Sequence, residues 1–282
     1  MTTDSGFLAT NGARIYFEVE GEGEPVVLIH AGIANLRMWD EQVPALRDAY
    51  RVIRHDTRGF GRTETEEVSF SNRADIAALL DHLGEDSAHM VGISRAGQIA
   101  LDFALESPVR VRSLVVANGG VSGYESPDDD YSLFAQAEKW EEARDWEPLA
   151  EWETDFWVNG PGQAKDRVAP EIRDRVHEWI LTNYQADKVG GRPQVLDPPA
   201  AGRLAELRAP LLVMIGTVDE AGTQSAMRHL AQSVPGARLE LFEGAAHMVN
   251  MEQPERFNRL LREFIDEHSK KGTAVSESAP HA

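Results

Sequence analysis

The 282-residue sequence predicts an α/β fold with a doubly wound, mostly parallel sheet, and three observations support this prediction. Short apolar segments rich in β-branched residues alternate with segments of helical periodicity along the chain. Several of the short segments, such as VVLI and LLVMI, are apolar at every position, which is typical of strands buried on both faces of a parallel sheet. A long stretch without strand signals interrupts the alternation, and a helical insertion into the sheet domain is therefore predicted.

The individual strand and helix signals can be placed along the chain. Strands are predicted over residues 13–19, 26–30, 51–56, 89–93, 113–118, 211–216 and 238–242. One helix is predicted to begin at Ser71-Asn72 and to end at Gly84, because apolar residues recur there at helical spacing and glycine often terminates a helix. A last helix is predicted to begin at Pro254, with an apolar stripe made of Phe257, Leu260, Leu261, Phe264 and Ile265.

The interruption from residue 122 to residue 200 holds five of the six tryptophans, and its sequence is helical, acidic and aromatic. We therefore predict a core domain in two parts, residues 1–121 and 201–268, with a helical cap at 122–200 packed over an apolar surface. Glycine and proline residues divide and close this cap. The small, polar residues of 269–282 are predicted to form a disordered tail.

The composition argues against several classes of function. The 28 Lys and Arg residues are outnumbered by 47 Asp and Glu residues, which gives a formal charge of −19. A surface this acidic repels phosphate backbones and anionic headgroups, so neither nucleic acid nor a membrane is an expected partner. The absence of cysteine excludes disulfides, thiolate metal sites and cysteine nucleophiles. No targeting pattern and no long apolar segment is visible, and a soluble cytoplasmic protein is expected.

Three polar residues of complementary chemistry follow the ends of three different predicted strands. Ser94 follows the segment HMVGI, Asp219 follows LLVMIGT, and His247 follows LELFEGAA. Ligands bind beyond the carboxyl ends of the strands in an open parallel sheet, so these side chains are expected to lie near one another. A serine, an acid and a histidine so placed are the groups that nucleophilic catalysis requires.

Ser94 lies in the sharpest local signal, the segment GISRAG at 92–97, between an apolar strand and a helix. So abrupt a turn forces the serine into a strained backbone conformation, and the small residues Gly92 and Ala96 avoid a collision there. The turn would lift the hydroxyl out of the sheet and place it at a helix N-terminus, where backbone N–H groups stabilise negative charge. A strand–glycine–helix connection with an incidental serine is the alternative interpretation.

The sequence resembles the α/β-hydrolase superfamily, in its esterase-like branch with a helical cap, over roughly residues 6–268. The resemblance rests on the segments HAG at 30–32, DTRGFG at 56–61, GISRAG at 92–97, GTVD at 216–219 and GAAHM at 244–248. The segment NMEQP at 250–254 also resembles the residues just after the catalytic histidine in that family. The resemblance implies that Ser94 is the nucleophile, that His247 is the general base, and that Asp219 orients the histidine and stabilises its cationic form.

The resemblance also implies an oxyanion hole made of two backbone N–H groups. One would come from Arg95, and the other from the loop after residue 30, where Gly32 is preferred and Ile33 is the alternative. The family usually has Gly at the position of Ala96 and an uncharged residue at the position of Arg95. We favour a salt bridge between the Arg95 guanidinium and the acidic cap, and contact with a substrate carboxylate is the alternative.

Other polar residues of these motifs have structural interpretations. Glu220 adjoins Asp219 as a second candidate acid, although the strand-end register favours Asp219. His30 is expected to hold the oxyanion loop, and Asp56 and Arg58 are expected to pair with each other or with loop backbone. The sequence contains no metal-ligand pattern, and its only dinucleotide-like glycines precede a strand instead of following one, so no metal and no cofactor is expected.

These observations predict a cofactor-independent serine hydrolase, monomeric or homodimeric, that cleaves a small, mostly apolar carboxylic ester or lactone through an acyl-enzyme. The same fold acting on a C–C or amide bond, or as a perhydrolase, is an alternative, and a non-catalytic small-ligand receptor is an alternative of another class. Residues 125–155 carry twelve acidic and two basic side chains, a balance of 12 − 2 or ten negative charges. Strongly anionic substrates are therefore expected to be disfavoured at the entrance unless Arg95 compensates.

Overall fold

The computed structural model describes residues 4–186 and 189–269, and a nine-stranded sheet forms its centre. The strands are β1 (Asp4–Thr10), β2 (Ala13–Glu20), β3 (Glu24–Ile29), β4 (Tyr50–His55), β5 (Glu64–Thr65), β6 (Ser69–Phe70), β7 (Ala88–Ile93), β8 (Val111–Ala117), β9 (Arg192–Pro193), β10 (Leu211–Gly216) and β11 (Arg238–Phe242). Their order in the large sheet is β1-β2-β4-β3-β7-β8-β10-β11, with β5 paired to β2. Along the order β4-β3-β7-β8-β10-β11, neighbouring strands pair in parallel. Strand β2 pairs antiparallel with β1, β4 and β5.

Nine α-helices are described within these residues. They are α1 (Val43–Leu46), α2 (Asn72–Leu83), α3 (Arg95–Glu106), α4 (Ala135–Ala143), α5 (Trp146–Glu153), α6 (Pro170–Gln185), α7 (Ala221–Ser233), α8 (Val249–Glu252) and α9 (Pro254–Glu267). A π-helical turn, Thr154–Asn159, extends α5. None of the helices in the described part of the chain is both long enough and apolar enough to cross a bilayer.

The sheet is covered on both faces, as the predicted doubly wound fold requires. Val27 and Ile29 of β3 belong to a buried cluster that includes the apolar sides of α2, α3 and α7. Val26 and Leu28 of the same strand belong to a second cluster with α1 and α9. Because neighbouring residues of one strand point to opposite faces, the continuous apolar segments of the sequence are explained by burial on both sides.

All seven predicted strands are present as β2, β3, β4, β7, β8, β10 and β11, with ends shifted by two residues at most. The N-terminal strand β1 was not predicted, because most of its side chains are exposed or half-buried and its sequence is not continuously apolar. It pairs with β2 across the two-residue turn Asn11-Gly12, in which Gly12 has a φ of 64°. An Asn-Gly pair is a strong hairpin signal, so the sequence did contain the information.

The two helices predicted from their ends begin and end as expected. The Ser71 side chain accepts a hydrogen bond from the N–H of Ala74 at 3.3 Å, and Gly84 ends α2 in the left-handed conformation. Pro254 is the first residue of α9, whose buried face contains all five residues of the predicted stripe. Local capping chemistry therefore determined both helices.

The segment 122–200, which we call the helical insertion, contains α4, α5, the π-helical turn and α6. The prediction that it holds no strand is wrong, because the two-residue strand β9 pairs in parallel with β6 in a small separate sheet. The predicted disordered tail begins one residue too early, since Ser269 is buried and donates a hydrogen bond to the carbonyl of Ile265. The rest of that tail, 270–282, lies outside the described residues.

Candidate active site

Ser94 lies at the turn between β7 and α3 in the strained conformation that its sequence predicts. Its φ of 62° and ψ of −134° are uncommon for a residue with a side chain. A Cβ at position 92 would lie 2.3 Å from the carbonyl oxygen of Ala96, so only glycine fits there. Ala96 itself is fully buried, and alanine is therefore accommodated where the family usually has glycine.

The first turn of α3 and the loop after β3 supply backbone donors beside Ser94. Within the described residues, the N–H groups of Gly32, Ile33 and Arg95 donate no hydrogen bond to the protein. In the same loop, the N–H of Ala31 donates a hydrogen bond to Met38 Sδ at 3.1 Å. The N–H of Ala34 donates to the carbonyl of Ala31. The two loop candidates for the oxyanion hole are thus both free, and Gly32 is the one that lies against the Arg95 side chain.

Asp219 and His247 are brought together from the ends of β10 and β11. His247 Nδ1 lies 2.8 Å from Asp219 Oδ2, and both side chains are almost completely buried. The other carboxylate oxygen, Oδ1, accepts the N–H of Glu220 at 2.8 Å, so the carboxylate is held at both ends. This arrangement fixes the ring so that Nε2 is the free nitrogen.

Asn118, at the end of β8, holds the two catalytic loops together, and sequence reasoning missed this role. Its Nδ2 donates to the carbonyls of Ala246 and His247, both at 2.9 Å, and its Oδ1 accepts the N–H of Gly216 at 2.8 Å. The residue is buried and has a φ of 42°. An asparagine directly after an apolar strand was the available signal, because Asn tolerates this conformation.

The structure does not join Ser94 to His247 by a hydrogen bond, although both residues belong to the described chain. The nearest ring to His247 is the Trp157 indole of the helical insertion, with centroids 4.5 Å apart. The N–H of His247 also donates to the Trp157 carbonyl at 3.3 Å. The insertion therefore packs directly on the histidine, and an apo site commonly has such a loose serine–histidine geometry.

A family model described as Alpha/beta hydrolase family matches residues 26–260. The chain belongs to the α/β-hydrolase family. The resemblance that the motifs indicated is confirmed, and so is the fold class. Hydrolase chemistry is thereby established as the family's activity, whereas the bond that is cleaved is not.

The relatives of this α/β-hydrolase are named for different hydrolase activities. It is 30% identical over 266 residues to a 2-hydroxy-6-oxononadienedioate/2-hydroxy-6-oxononatrienedioate hydrolase of Burkholderia vietnamiensis, covering 89% of this chain and 91% of that one. It is 27% identical to 3-oxoadipate enol-lactonase 1 of Acinetobacter baylyi, covering 90% and 94%. Among solved structures, a thermophilic esterase of Thermogutta terrifontis is 25% identical, with a TM-score of 0.76 and coverage of 95% and 100%.

The helical insertion is fastened to the His247 loop by Arg167. Its guanidinium forms an ion pair with Glu252 at 2.6 Å and donates to the Gly244 carbonyl at 2.6 Å. Glu252 in turn accepts the N–H of Ala246, next to His247 in the chain, at 2.9 Å. Burial raises the pKa of Glu252 above its usual range, against the opposing effect of the Arg167 charge.

Replacing Arg167 with methionine is expected to lower the free energy of unfolding by about 2–4 kcal/mol, because it leaves the Glu252 carboxylate buried without a cation. Any activity that depends on His247 should fall as well, since the His247 loop loses its anchor. Urea unfolding of Arg167→Met, Glu252→Gln and the double variant measures the coupling. The double variant should be more stable than Arg167→Met alone, and strictly additive losses would contradict the role of this pair.

His30 bridges the loop after β3 and the loop after β4. Its Nδ1 lies 2.8 Å from the Ala31 carbonyl, and its Nε2 accepts the N–H of Thr57 at 2.9 Å. Complete burial lowers the pKa of His30 to about 3, so the ring is neutral at neutral pH. A neutral ring with the proton on Nδ1 satisfies both contacts.

The favoured salt bridge between Arg95 and the acidic insertion is wrong. Within the described residues no carboxylate lies within 4.0 Å of the guanidinium, whose single hydrogen bond runs from Nη2 to Thr57 Oγ1 at 2.7 Å. The guanidinium lies over the Phe60 ring, 4.8 Å from its centroid. The acidic residues of the insertion instead pair with cations such as Arg173, which contacts Glu151 and Asp155 at 2.7 Å.

Glu220 is excluded as the acid of the site because its carboxylate caps α7. It accepts the N–H groups of Gly222 and Thr223 at 2.7 and 2.6 Å. Asp56 accepts loop N–H groups, as expected, from Leu36 at 2.9 Å and Arg62 at 2.7 Å.

Arg58 does not pair with Asp56, but it does bind loop backbone, which was the other expectation, in the turn between β1 and β2. It forms a two-pronged ion pair with Asp75 of α2, at 2.7 and 2.8 Å, and also donates to the Asn11 carbonyl. No local pattern indicates this partner, because the two residues lie 17 positions apart on different elements.

Two cavities lie between the sheet domain and the helical insertion. The first, which we call the Arg95 cavity, has a volume of about 350 Å³ and is lined by residues that include Gly32, Phe60, Phe70, Arg95, Glu153 and Tyr184. The second has a volume of about 280 Å³ and reaches Trp157, the neighbour of His247. Ser94 lines neither cavity, but the first reaches its chain neighbour Arg95, and the second reaches Glu220, the chain neighbour of Asp219.

Glu153 faces the Arg95 cavity from α5 and accepts a hydrogen bond from the Tyr184 hydroxyl at 2.9 Å. Burial raises the pKa of Glu153 to about 7. The folded protein therefore binds this proton more tightly than the unfolded chain does. The stability that the protonated carboxyl contributes is full below a pH of about 4.5 and is lost as the pH rises through about 7.

We expect Glu153→Gln to remove this pH dependence, because the amide keeps the shape and can still accept from Tyr184. The quantity to compare is the free energy of unfolding of the variant minus that of the wild type. This difference should be about 1–2 kcal/mol more positive at pH 8 than at pH 5. Urea unfolding at both pH values provides the measurement, with the exposed Glu178→Gln on α6 as the matched control. An equal effect of Glu153→Gln at both pH values would contradict the assignment.

No group of three or more His, Asp or Glu side chains that could hold a metal ion occurs in residues 4–186 and 189–269. The chemistry assembled at the strand ends is that of a serine, an imidazole and a carboxylate. The arrangement can accept a proton from a hydroxyl, stabilise an imidazolium and offer backbone donors to an oxyanion.

Proposed function

We propose that this α/β-hydrolase is a cofactor-independent serine hydrolase that cleaves a small, mostly apolar carboxylic ester or lactone through an acyl-enzyme. The observation that carries the proposal is the buried Asp219–His247 hydrogen bond of 2.8 Å. It is formed at the same sheet edge as a serine held in a strained turn at a helix N-terminus. A buried carboxylate that orients a histidine enables the histidine to take the proton from a hydroxyl, and the hydroxyl oxygen can then attack the substrate.

In the acylation step, Ser94 Oγ attacks the carbonyl carbon while its proton passes to His247 Nε2. Asp219 stabilises the imidazolium that results. The carbonyl oxygen becomes an oxyanion and accepts hydrogen bonds from the N–H groups of Arg95 and Gly32, with Ile33 as the alternative second donor. The tetrahedral adduct then collapses, the C–O bond to the alcohol breaks, and the alkoxide takes the proton from His247.

In the deacylation step, His247 accepts a proton from water, and the hydroxide attacks the acyl carbon. Collapse of this second adduct releases the carboxylic acid and returns the proton to Ser94 Oγ. With a lactone, the alcohol formed in the first step stays attached to the acyl group, so a single hydroxy acid is released.

The names of the relatives support two kinds of bond. An enol-lactonase from Acinetobacter baylyi and an esterase from Thermogutta terrifontis favour an ester or lactone. The Burkholderia vietnamiensis hydrolase, named for a 2-hydroxy-6-oxo dienedioate, supports C–C bond hydrolysis as the second candidate. Both chemistries need the same activated serine and oxyanion hole.

The experiment that tests the proposal combines fluorophosphonate labelling with a chain-length panel of p-nitrophenyl esters and lactones. We expect labelling of one serine, identified as Ser94 by peptide mass, together with turnover that declines for long acyl chains as the cavities fill. A folded protein that is neither labelled nor active on any panel member would contradict the proposal and favour a ligand receptor.

A further inference from the structure

Within the described residues, the half-buried Arg95 guanidinium has no carboxylate partner. Its Nη2 donates to Thr57, and its Nε is shielded from solvent without any hydrogen-bond partner. Within the described residues, Nη1 also donates no hydrogen bond. Burial lowers the pKa of Arg95 to about 10, which still leaves the group charged at neutral pH. An uncompensated buried charge is costly, and such a group calls for a partner that the protein itself does not supply.

The guanidinium borders the Arg95 cavity, where an anion could reach it. The other cation of this cavity, Arg58, is already neutralised by the two-pronged pair with Asp75. The carboxyl of Glu153 is occupied by Tyr184, and within the described residues it forms no ion pair with Arg95. Among the described residues that line this cavity, Arg95 is therefore the cation that remains available to a ligand.

The contacts of the Arg95 side chain hold its guanidinium in a fixed position. The side chain lies against the Phe60 ring, and its hydrogen-bond acceptor Thr57 is itself fixed by the neutral, buried His30. The Arg95 backbone follows the strained Ser94 directly, so the guanidinium has a fixed position relative to the nucleophile. A donor that is held in place before binding loses little entropy when it binds an anion.

We propose that Arg95 binds a free carboxylate of the substrate, so that the substrate is a small ester or lactone bearing one carboxylate besides the scissile group. This inference rests on the proposed hydrolase function. A planar guanidinium fork matches a carboxylate, whereas a phosphate dianion needs further cations, and the second described cation of the lining, Arg58, is already paired with Asp75. The remaining lining is largely apolar, with Ile33, Phe70 and Ile180, and fits a short carbon chain between the two groups.

This assignment changes what the acidic insertion is expected to do. Its negative charges slow the approach of anions at low salt, while Arg95 stabilises a single carboxylate once it has entered. Substrates with several negative charges are then the ones expected to be disfavoured at the entrance, whereas a single carboxylate is accepted.

The test compares the monomethyl esters of succinate, glutarate and adipate with their neutral dimethyl esters, by proton release at physiological salt. For the best chain length, we expect the wild type to prefer the monoester in kcat/KM. The ratio of the two kcat/KM values should fall about 10- to 100-fold in Arg95→Gln, the effect of one charged hydrogen bond. Arg95→Lys should lie between, because it keeps the charge without the fork.

Two controls separate the possible failures. Arg259→Gln removes an exposed arginine of α9 and should leave the ratio unchanged. In a Ser94→Ala background, calorimetry should show that monomethyl adipate or glutarate binds about 10- to 100-fold more weakly after Arg95→Gln. This binding readout does not need turnover.

The outcomes distinguish the two proposals. A labelled, active enzyme whose ester ratio and ligand affinity are unaffected by Arg95→Gln would overturn the carboxylate site and leave the serine hydrolase intact. A protein that binds the monoesters through Arg95 but shows no labelling of Ser94 would overturn the hydrolase and leave the carboxylate site. A wild type that prefers the dimethyl esters at every chain length would also overturn the Arg95 proposal.

Discussion

Replacing Ser94 with alanine is expected to lower kcat/KM for p-nitrophenyl acetate and butyrate by about 10⁵-fold and to abolish fluorophosphonate labelling. The reason is that Ser94 lies in the strained turn at the N-terminus of α3, and that His247, which is held by Asp219 and packed against Trp157, is the proposed base. The oxyanion donors remain in the variant, so a small rate above that of water should persist.

The control for this experiment is Ser132→Ala, which removes an exposed serine of the helical insertion and should leave labelling unchanged. Thermal unfolding should show that Ser94→Ala is as stable as the wild type, since alanine fills the same strained turn. If the folded Ser94→Ala variant kept even one-tenth of the activity, another nucleophile would have to exist and the assignment would be wrong.

Asp219→Asn is expected to lower kcat by about 10⁴-fold while the fold is kept. An amide N–H facing Nδ1 favours the tautomer that carries the proton on Nε2, so the ring can no longer accept the Ser94 proton. Glu220 cannot take over, because both of its carboxylate oxygens are bound to N–H groups of α7.

The neighbouring carboxylate supplies the matched control. Glu220→Gln should lower the free energy of unfolding by about 1 kcal/mol through the weakened helix cap, with a loss of activity well below tenfold. Steady-state kinetics and urea unfolding of the two variants give a clear contrast. Comparable losses of kcat in Asp219→Asn and Glu220→Gln would mean that the acid has been assigned to the wrong residue.

The elements that the sequence predicted well are those with a local cause. The buried strands of the parallel sheet were found because every residue in them must be apolar, whichever face it points to. The serine turn was found because its geometry tolerates only small residues at 92 and 96, a requirement that is visible in six consecutive letters. The strand β1 was missed because a strand on the sheet edge has no such requirement, and the Asn11-Gly12 turn was its one signal.

The sequence by itself determined the α/β fold and predicted that Ser94, Asp219 and His247 follow the ends of three strands of the sheet. Only the tertiary structure decided which remote groups meet. Asn118 bridges the loops after β10 and β11, Arg167 fastens the insertion, and Arg95 has no carboxylate partner among the described residues. The physical reason is distance along the chain. Backbone strain and apolar burial act on neighbouring residues and leave a local pattern, whereas the charge balance of a buried side chain depends on groups that are remote in the sequence.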